Sequence, residues 1–194
     1  EPVLMNTTPP PADLNLCVEQ ALSEDIGPGD VTSVLLPRGQ IVTARVTTRE
    51  AAVLCGQPWF AAAFQMIDPT VSVTWAAPEG SRVQPDDLLC TVTGCARAIF
   101  TGERTALNFL QTLSGTATSV RRYVDAVAGT GARIVDTRQT LPGLRSAQKY
   151  AVLVGGGLNH RLGLYDGFLI EDVHSAAAGG LREAIHYARA MGLN

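Results

Sequence analysis

Apolar positions recur along this chain at two spacings, and the dominant one changes near residue 131. Residues 14–22 place Leu14, Val18, Ala21 and Leu22 on one face of a helix. The acidic, glycine-rich stretch over residues 23–30 predicts a loop after it. Residues 41–48 alternate as a strand does, and residues 51–54, 71–75 and 88–93 predict three more strands. Residues 58–66 are apolar at helical spacing. Two helices are expected next. Residues 102–113 align Ala106, Leu107, Leu110 and Leu113, and residues 117–128 align Val120, Tyr123, Val124 and Val127, with a break at Ser114-Gly115. The pattern then becomes strand, loop, helix, repeated. Residues 133–136 and 167–170 predict strands, and residues 144–154 and 181–191 predict helices, the first ended by Gly155-Gly156-Gly157.

These elements predict an α/β protein in two parts. A flexible tail over residues 1–12 carries three consecutive prolines, Pro9, Pro10 and Pro11. Residues 13–115 predict a mixed, mostly antiparallel α/β sandwich domain with a linking helix. Residues 116–194 predict the first part of a (β/α) barrel, because successive βα units imply a parallel sheet faced by helices. That barrel is expected to be incomplete at the C-terminus, since a closed one takes roughly 250 residues, roughly 200 at the least. An open edge would expose unpaired backbone and an apolar flank. The expectation is therefore a fragment, or a chain whose edge a partner covers.

Composition narrows the function classes. With 46% hydrophobic and 17% charged residues, the chain is that of an ordinary globular protein. No apolar run approaches the ~20 residues of a membrane helix, and Glu1-Pro2-Val3-Leu4 does not open a signal peptide. Cys17, Cys55, Cys90 and Cys95 form no C-x-x-C pair and have no histidine nearby, so zinc is not expected. Scattered thiols predict reduced core residues and a cytoplasmic setting. A net charge of −3 without a basic stripe argues against nucleic acid. That charge is segregated: −7 over residues 1–103, +6 over residues 104–161 and −2 over residues 162–194. The middle segment is where an anion would bind. Lys149 is the single lysine, so any function that needs a lysine must use it. The turn over residues 79–89 resembles the hammerhead of biotinyl and lipoyl carriers, but no lysine is available there and it reads as structural.

Parallel α/β folds carry function at the carboxyl ends of their strands. The first such end presents Asp136-Thr137-Arg138-Gln139-Thr140, the second Glu171-Asp172-Val173-His174, and the glycine loop between them leads into Asn159-His160-Arg161. Arginine suits carboxylates and phosphates because its planar fork bonds two oxygens at once. His160 could donate to the same anion or supply a proton near neutral pH. The three glycines admit either a close ligand approach or a cap and turn, and the latter is the commoner use. Neither a P-loop nor a G-x-G-x-x-G is present, so a Walker ATPase or Rossmann enzyme is not supported.

Several motifs in order resemble quinolinate phosphoribosyltransferases. They are Glu24-Asp25-Ile26-Gly27-Pro28-Gly29-Asp30-Val31-Thr32, Gly102-Glu103-Arg104-Thr105-Ala106-Leu107-Asn108-Phe109-Leu110, Asp136-Thr137-Arg138 and Pro142-Gly143-Leu144-Arg145. Lys149-Tyr150-Ala151-Val152, Gly155-Gly156-Gly157-Leu158-Asn159-His160-Arg161 and Leu169-Ile170 complete the set. The resemblance implies transfer of phosphoribosyl from phosphoribosyl pyrophosphate to quinolinate with Mg²⁺, and decarboxylation to nicotinate mononucleotide in NAD biosynthesis. It implies that Arg138, His160 and Arg161 hold the quinolinate carboxylates, with Thr137, Gln139 and Glu171 lining the same site. It also implies a homodimer in which Arg104 reaches the other subunit's site. No single catalytic residue is singled out, and the resemblance places the Mg²⁺ ligands on strands beyond these residues.

Three positions depart from the family pattern. Gln139 and Glu171 stand where the family has lysine, and Val173 where it has asparagine. At ~4 Å and an effective dielectric near 20, one unit charge is worth about 4 kcal/mol, so Glu171 is expected to weaken polyanion binding. Two other readings follow: a non-catalytic, truncated or degenerate relative with a structural or regulatory role, and a related barrel protein, such as the homologue found with molybdate transport, acting on another anion.

Overall fold

The computed structural model describes residues 8–192. The expectations for residues 1–7 and 193–194, including most of the tail, lie outside the described residues. Helix α1 (Leu14–Ile26) buries Leu14, Val18 and Leu22. It runs four residues further than its apolar spacing suggested, because nothing before Gly27 breaks it; Gly27 has φ 54° and its N–H closes on the Ser23 carbonyl. The loop expected from residue 23 therefore starts at residue 27. Its end is organised by Asp30. Asp30 Oδ1 accepts the N–H groups of Thr32 and Ser33, shaping a 3₁₀ turn over Ser33–Leu35, and Oδ2 accepts Thr101 Oγ1 at 2.8 Å.

Three strands form one antiparallel sheet in the order β1 (Ile41–Thr47), β5 (Leu88–Cys95), β3 (Ser72–Trp75). The central strand β5 is the most buried, whereas β1 at the edge alternates exposed and half-buried positions. A second, two-stranded antiparallel pair joins β2 (Ala52–Val53) to β4 (Arg82–Val83). The turn before β4 is structural. Glu79 accepts the N–H groups of Gly56 and Gln57 at 2.8 and 3.1 Å and so caps α2 (Gln57–Ile67). Trp59, Phe60, Ala63 and Phe64 from α2 fill the core, with Phe60 edge-on to both Phe64 and Trp75.

The long helix α3 (Ala96–Ala126) is continuous across Ser114 and Gly115, which corrects the expected break. A mid-helix glycine costs only about 1 kcal/mol. That is small against burying Ala106, Phe109, Leu110, Leu113 and Ala117 on one face. Ser114 is employed rather than disruptive: its hydroxyl accepts the Cys55 N–H at 2.9 Å and donates to the Cys55 carbonyl at 3.0 Å. Across α3 lies α4 (Arg145–Val154). Gly155 and Gly157, at its end, allow the closest approach. A Cβ on Gly155 would sit 2.7 Å from the Ala117 carbonyl oxygen, and one on Gly157 would sit 3.1 Å from Val120 Cγ1.

The parallel part is sparser than expected. Of the two strands, residues 133–136 contribute a single parallel bridge, Val135 to Leu158, and residues 167–170 form no strand. A parallel strand needs neighbours on its edges and cover on both faces. Here Val135, Leu158, Phe168 and Leu169 are each about 40% exposed or more (44%, 39%, 46% and 46%). Two helices complete the described chain: α5 (Asp172–Ala177), which the apolar spacing did not reveal, and α6 (Leu181–Ala190), neither with a buried residue.

Candidate active site

The parallel bridge brings two loops to one edge. Asp136 N donates to the Leu158 carbonyl at 3.0 Å, and Leu158 N donates to the Ile134 carbonyl at 2.9 Å. Thr137 and Arg138 leave one strand end, and Asn159, His160 and Arg161 leave the other. Arg138 and Arg161 each lie three residues past the bridge.

A buried polar knot fixes the two loops to each other. Lys149, from α4, donates to Asp136 Oδ1 at 2.5 Å and to the His160 carbonyl at 3.1 Å. The same Asp136 oxygen accepts the His160 N–H at 2.8 Å. Asn159, with its amide nitrogen facing them, donates to Asp136 Oδ2 at 2.7 Å and to the Lys149 carbonyl at 2.9 Å. The side chains of Lys149 and Asp136 are 2% and 6% exposed, so neither charge relies on water. Their attraction and these added bonds offset the cost of removing both from solvent.

With Asp136 neutralised inside the knot, Arg138 and Arg161 remain as cations at the edge. Arg138 Nε is buried and has no partner among the described residues. An orphaned buried donor costs about 1–3 kcal/mol, which a ligand oxygen would relieve. Arg161 donates to the Gly167 carbonyl at 3.1 Å and so holds the following loop. In that loop Asp166 accepts the N–H groups of Leu162 and Gly163, which hold its carboxyl below the usual carboxylate range. Arg145 braces the other side, donating to Thr140 Oγ1 and the Leu162 carbonyl.

The remaining expected residues are placed differently. Thr137 Oγ1 accepts the Gln139 N–H at 3.1 Å, and Gln139 is exposed. Glu171 caps α5, in a reciprocal pair with His174 whose Nδ1 accepts the Glu171 N–H at 3.1 Å. Arg104 is exposed on α3. It lies roughly 25 Å along that helix from Arg121. The Arg121 guanidinium packs against Gly156, at the start of the loop leading to His160. Within one chain, Arg104 is therefore remote from the paired loops. It stands beside the acidic motif instead, since its neighbour Thr105 reaches Asp25.

The spacing argument did not assign roles to Lys149, Asn159 and Arg145. Lys149 carried a readable signal: a lone lysine between buried Ala147 and Tyr150 on a helix face needs a buried partner. The glycine run serves packing and the turn, with Gly156 at φ 91°.

Comparison with known proteins identifies the family. Residues 30–114 match the family model described as quinolinate phosphoribosyl transferase, N-terminal domain. Residues 116–192 match that described as its C-terminal domain. A probable nicotinate-nucleotide pyrophosphorylase (carboxylating) of Synechocystis is 41% identical over 97% of this chain and 64% of its own length. The nicotinate-nucleotide pyrophosphorylase (carboxylating) of Mycobacterium leprae is 44% identical over 89% of this chain and 62% of its own. The structure of the nicotinate-nucleotide pyrophosphorylase from Francisella tularensis superposes with TM-score 0.90 at 38% identity, covering 96% of this chain and 66% of that one. The chain thus spans under two thirds of the length of these relatives. With both domain models matched in order, the chain belongs to the quinolinate phosphoribosyltransferase family.

Proposed function

We propose that this chain carries the quinolinate-recognising part of an enzyme that transfers phosphoribosyl from phosphoribosyl pyrophosphate to quinolinate. The products are nicotinate mononucleotide, pyrophosphate and CO₂. The observation that carries this reading is the pair of arginines leaving two adjacent parallel strand ends, with the nearby carboxylate of Asp136 already neutralised by Lys149. The relatives named for this reaction support it.

Quinolinate has two neighbouring carboxylates, and each arginine fork can bond one bidentately. Arg138, with its orphaned Nε, and Arg161 are assigned to them, and His160 donates beside them. Held in this way, the ring presents its nitrogen to the phosphoribosyl carbon. Once that nitrogen is alkylated and cationic, it and the arginines stabilise the charge left when the adjacent carboxylate departs. Thr137 and Gln139 line the rim. Glu171, engaged in capping α5, is assigned no contact with the anion.

The partner reading is a homodimer in which Arg104 reaches the other subunit's site; its distance from the paired loops within one chain supports this. A cytoplasmic setting is supported by the free state of Cys17, Cys55, Cys90 and Cys95. No helix among the described residues is long and apolar enough to cross a membrane. The family implies Mg²⁺, but among the described residues no three His, Cys, Asp or Glu converge on a metal-sized site, and no step is routed through the ion.

The test is quinolinate binding by calorimetry on the chain and on Arg138→Met and Arg161→Met, alongside pyrophosphate release with phosphoribosyl pyrophosphate and Mg²⁺. Each variant is expected to lose tenfold or more in quinolinate affinity. A parent chain that ignores quinolinate would sink the reading. Binding without turnover would assign this chain recognition alone.

A further inference from the structure

We infer that Lys149, the single lysine of the chain, is a positioning residue for the anion site and touches no ligand. Its side chain is 2% exposed, and the ammonium faces inward, with Asp136 Oδ1 at 2.5 Å and the His160 carbonyl at 3.1 Å. A group so enclosed has no free direction toward a ligand. What it controls is the relation between two loops. Asp136 belongs to the strand that ends in Arg138, and His160 belongs to the loop that ends in Arg161. Lys149 bonds both, and Asp136 bonds His160 a second time through its N–H at 2.8 Å. The spacing of the two arginines is thus set from beneath by one buried ion pair.

The pair also sets the sign of the site. Without Lys149, the Asp136 carboxylate would stand uncompensated two residues before Arg138 and disfavour an anionic ligand at the same edge. With Lys149 in place, the arginines present their full charge to the ligand. The next residue on α4 explains why the lysine stays in place. Tyr150 is buried, packs its ring 5.1 Å from that of Trp59 and donates its hydroxyl to Glu79 at 3.1 Å. The helix that carries Lys149 is thereby anchored to the first domain.

This inference rests on the reading of the site as a quinolinate site, but its test does not depend on it. Three variants of the full chain are compared: Lys149→Met, Asp136→Leu/Lys149→Met and Tyr150→Phe. Replacing a buried ion pair by apolar residues of similar volume is often neutral for stability, whereas removing one partner costs about 3–5 kcal/mol, so the double variant is expected to be the more stable of the two. Amide hydrogen exchange is read at Leu158, whose N–H joins the two loops through the Ile134 carbonyl and bonds neither substituted side chain, together with the thermal midpoint and quinolinate affinity. In the double variant, exchange at Leu158 is expected to speed up at least tenfold while the amides of α4 keep their protection. The midpoint stays within a few degrees, and quinolinate binds at least tenfold more weakly. Tyr150→Phe leaves Leu158 exchange within twofold of the parent, which separates the knot from general loosening of α4. Unchanged exchange at Leu158 in the double variant would overturn the inference. So would its failure to fold, which would make the pair a requirement of the fold instead. If the parent itself does not bind quinolinate, the proposed function fails, and the exchange measurement alone decides the role of Lys149.

Discussion

The closeness of α3 and α4 makes one substitution at two glycines opposite in effect. Gly155 ends α4 at φ −67° and ψ −9°, a conformation any residue adopts, so alanine there meets no backbone strain. The obstacle is space. A Cβ at Gly155 would lie 2.7 Å from the Ala117 carbonyl oxygen, 2.8 Å from Val120 Cβ and 2.9 Å from Val120 Cγ1, against an ordinary contact distance of 3.4 Å or more. Backbone oxygen and a β-branched side chain cannot rotate away, so the end of α4 would have to retreat by about 0.7 Å in a close-packed interface. Overpacking of this kind costs about 1–3 kcal/mol. Reduced freedom of the unfolded chain returns about 0.4–1 kcal/mol. The net expectation for Gly155→Ala is a loss of about 1–2 kcal/mol, or a thermal midpoint lower by about 2–8 °C for a chain of this size. Gly115 is the contrast. It is exposed in the middle of α3 with no atom within 4 Å of a built Cβ. Gly115→Ala is expected to gain about 0.5–1 kcal/mol from helix propensity alone. Urea unfolding of both variants, with the dependence on urea unchanged, measures the two effects directly. If Gly155→Ala is as stable as the parent or more so, the packing of α4 on α3 is not as tight as described, and the reasoning fails.

Other expectations follow from buried polar groups. Ser114→Ala leaves the Cys55 N–H without its acceptor and should cost about 1–3 kcal/mol in urea unfolding; a loss near zero would show that the bond to Cys55 carries no weight. Burial pushes the Glu79 carboxyl above its ordinary value, only partly countered by the Gly56, Gln57 and Tyr150 donors. Because the folded value is the higher one, Glu79 favours the fold most below about pH 4.3 and loses that contribution as pH rises through its raised range. The stability of the parent relative to Glu79→Gln should therefore fall with rising pH, and a gap that widens instead would refute the assignment. Lys149 should resist amine acetylation in the native chain and react after unfolding, as read by peptide mass; rapid native labelling would contradict its burial.

Much of the first domain was legible because its signals are local. The alternation in residues 41–48 and the apolar face of residues 58–66 report on neighbours a few residues away, and the structure places β1 and α2 accordingly, whereas α1 runs past the end at residue 22 that its spacing suggested. The motifs that mark the family were legible as well, since they are words in sequence. The break expected at Ser114-Gly115 failed because a weak local preference was outweighed by burial along α3 and by a hydroxyl bond to Cys55, 59 residues away. The strand expected over residues 167–170 failed for the converse reason: an apolar run becomes a strand only when another strand lies beside it.

By itself, then, the sequence determined the family, most of the order of the elements and the placing of Asp136, Thr137 and Arg138 at a strand end, because periodicity and motif order are properties of the chain. Only the tertiary structure decided how those residues are used. It turned the single lysine inward against Asp136, assigned the glycine run to packing against α3, engaged Glu171 in capping α5 and set Arg104 far from Arg138 and Arg161. Each of these depends on which groups meet across long separations in sequence. That is a matter of burial and hydrogen-bond partners, which no local pattern specifies.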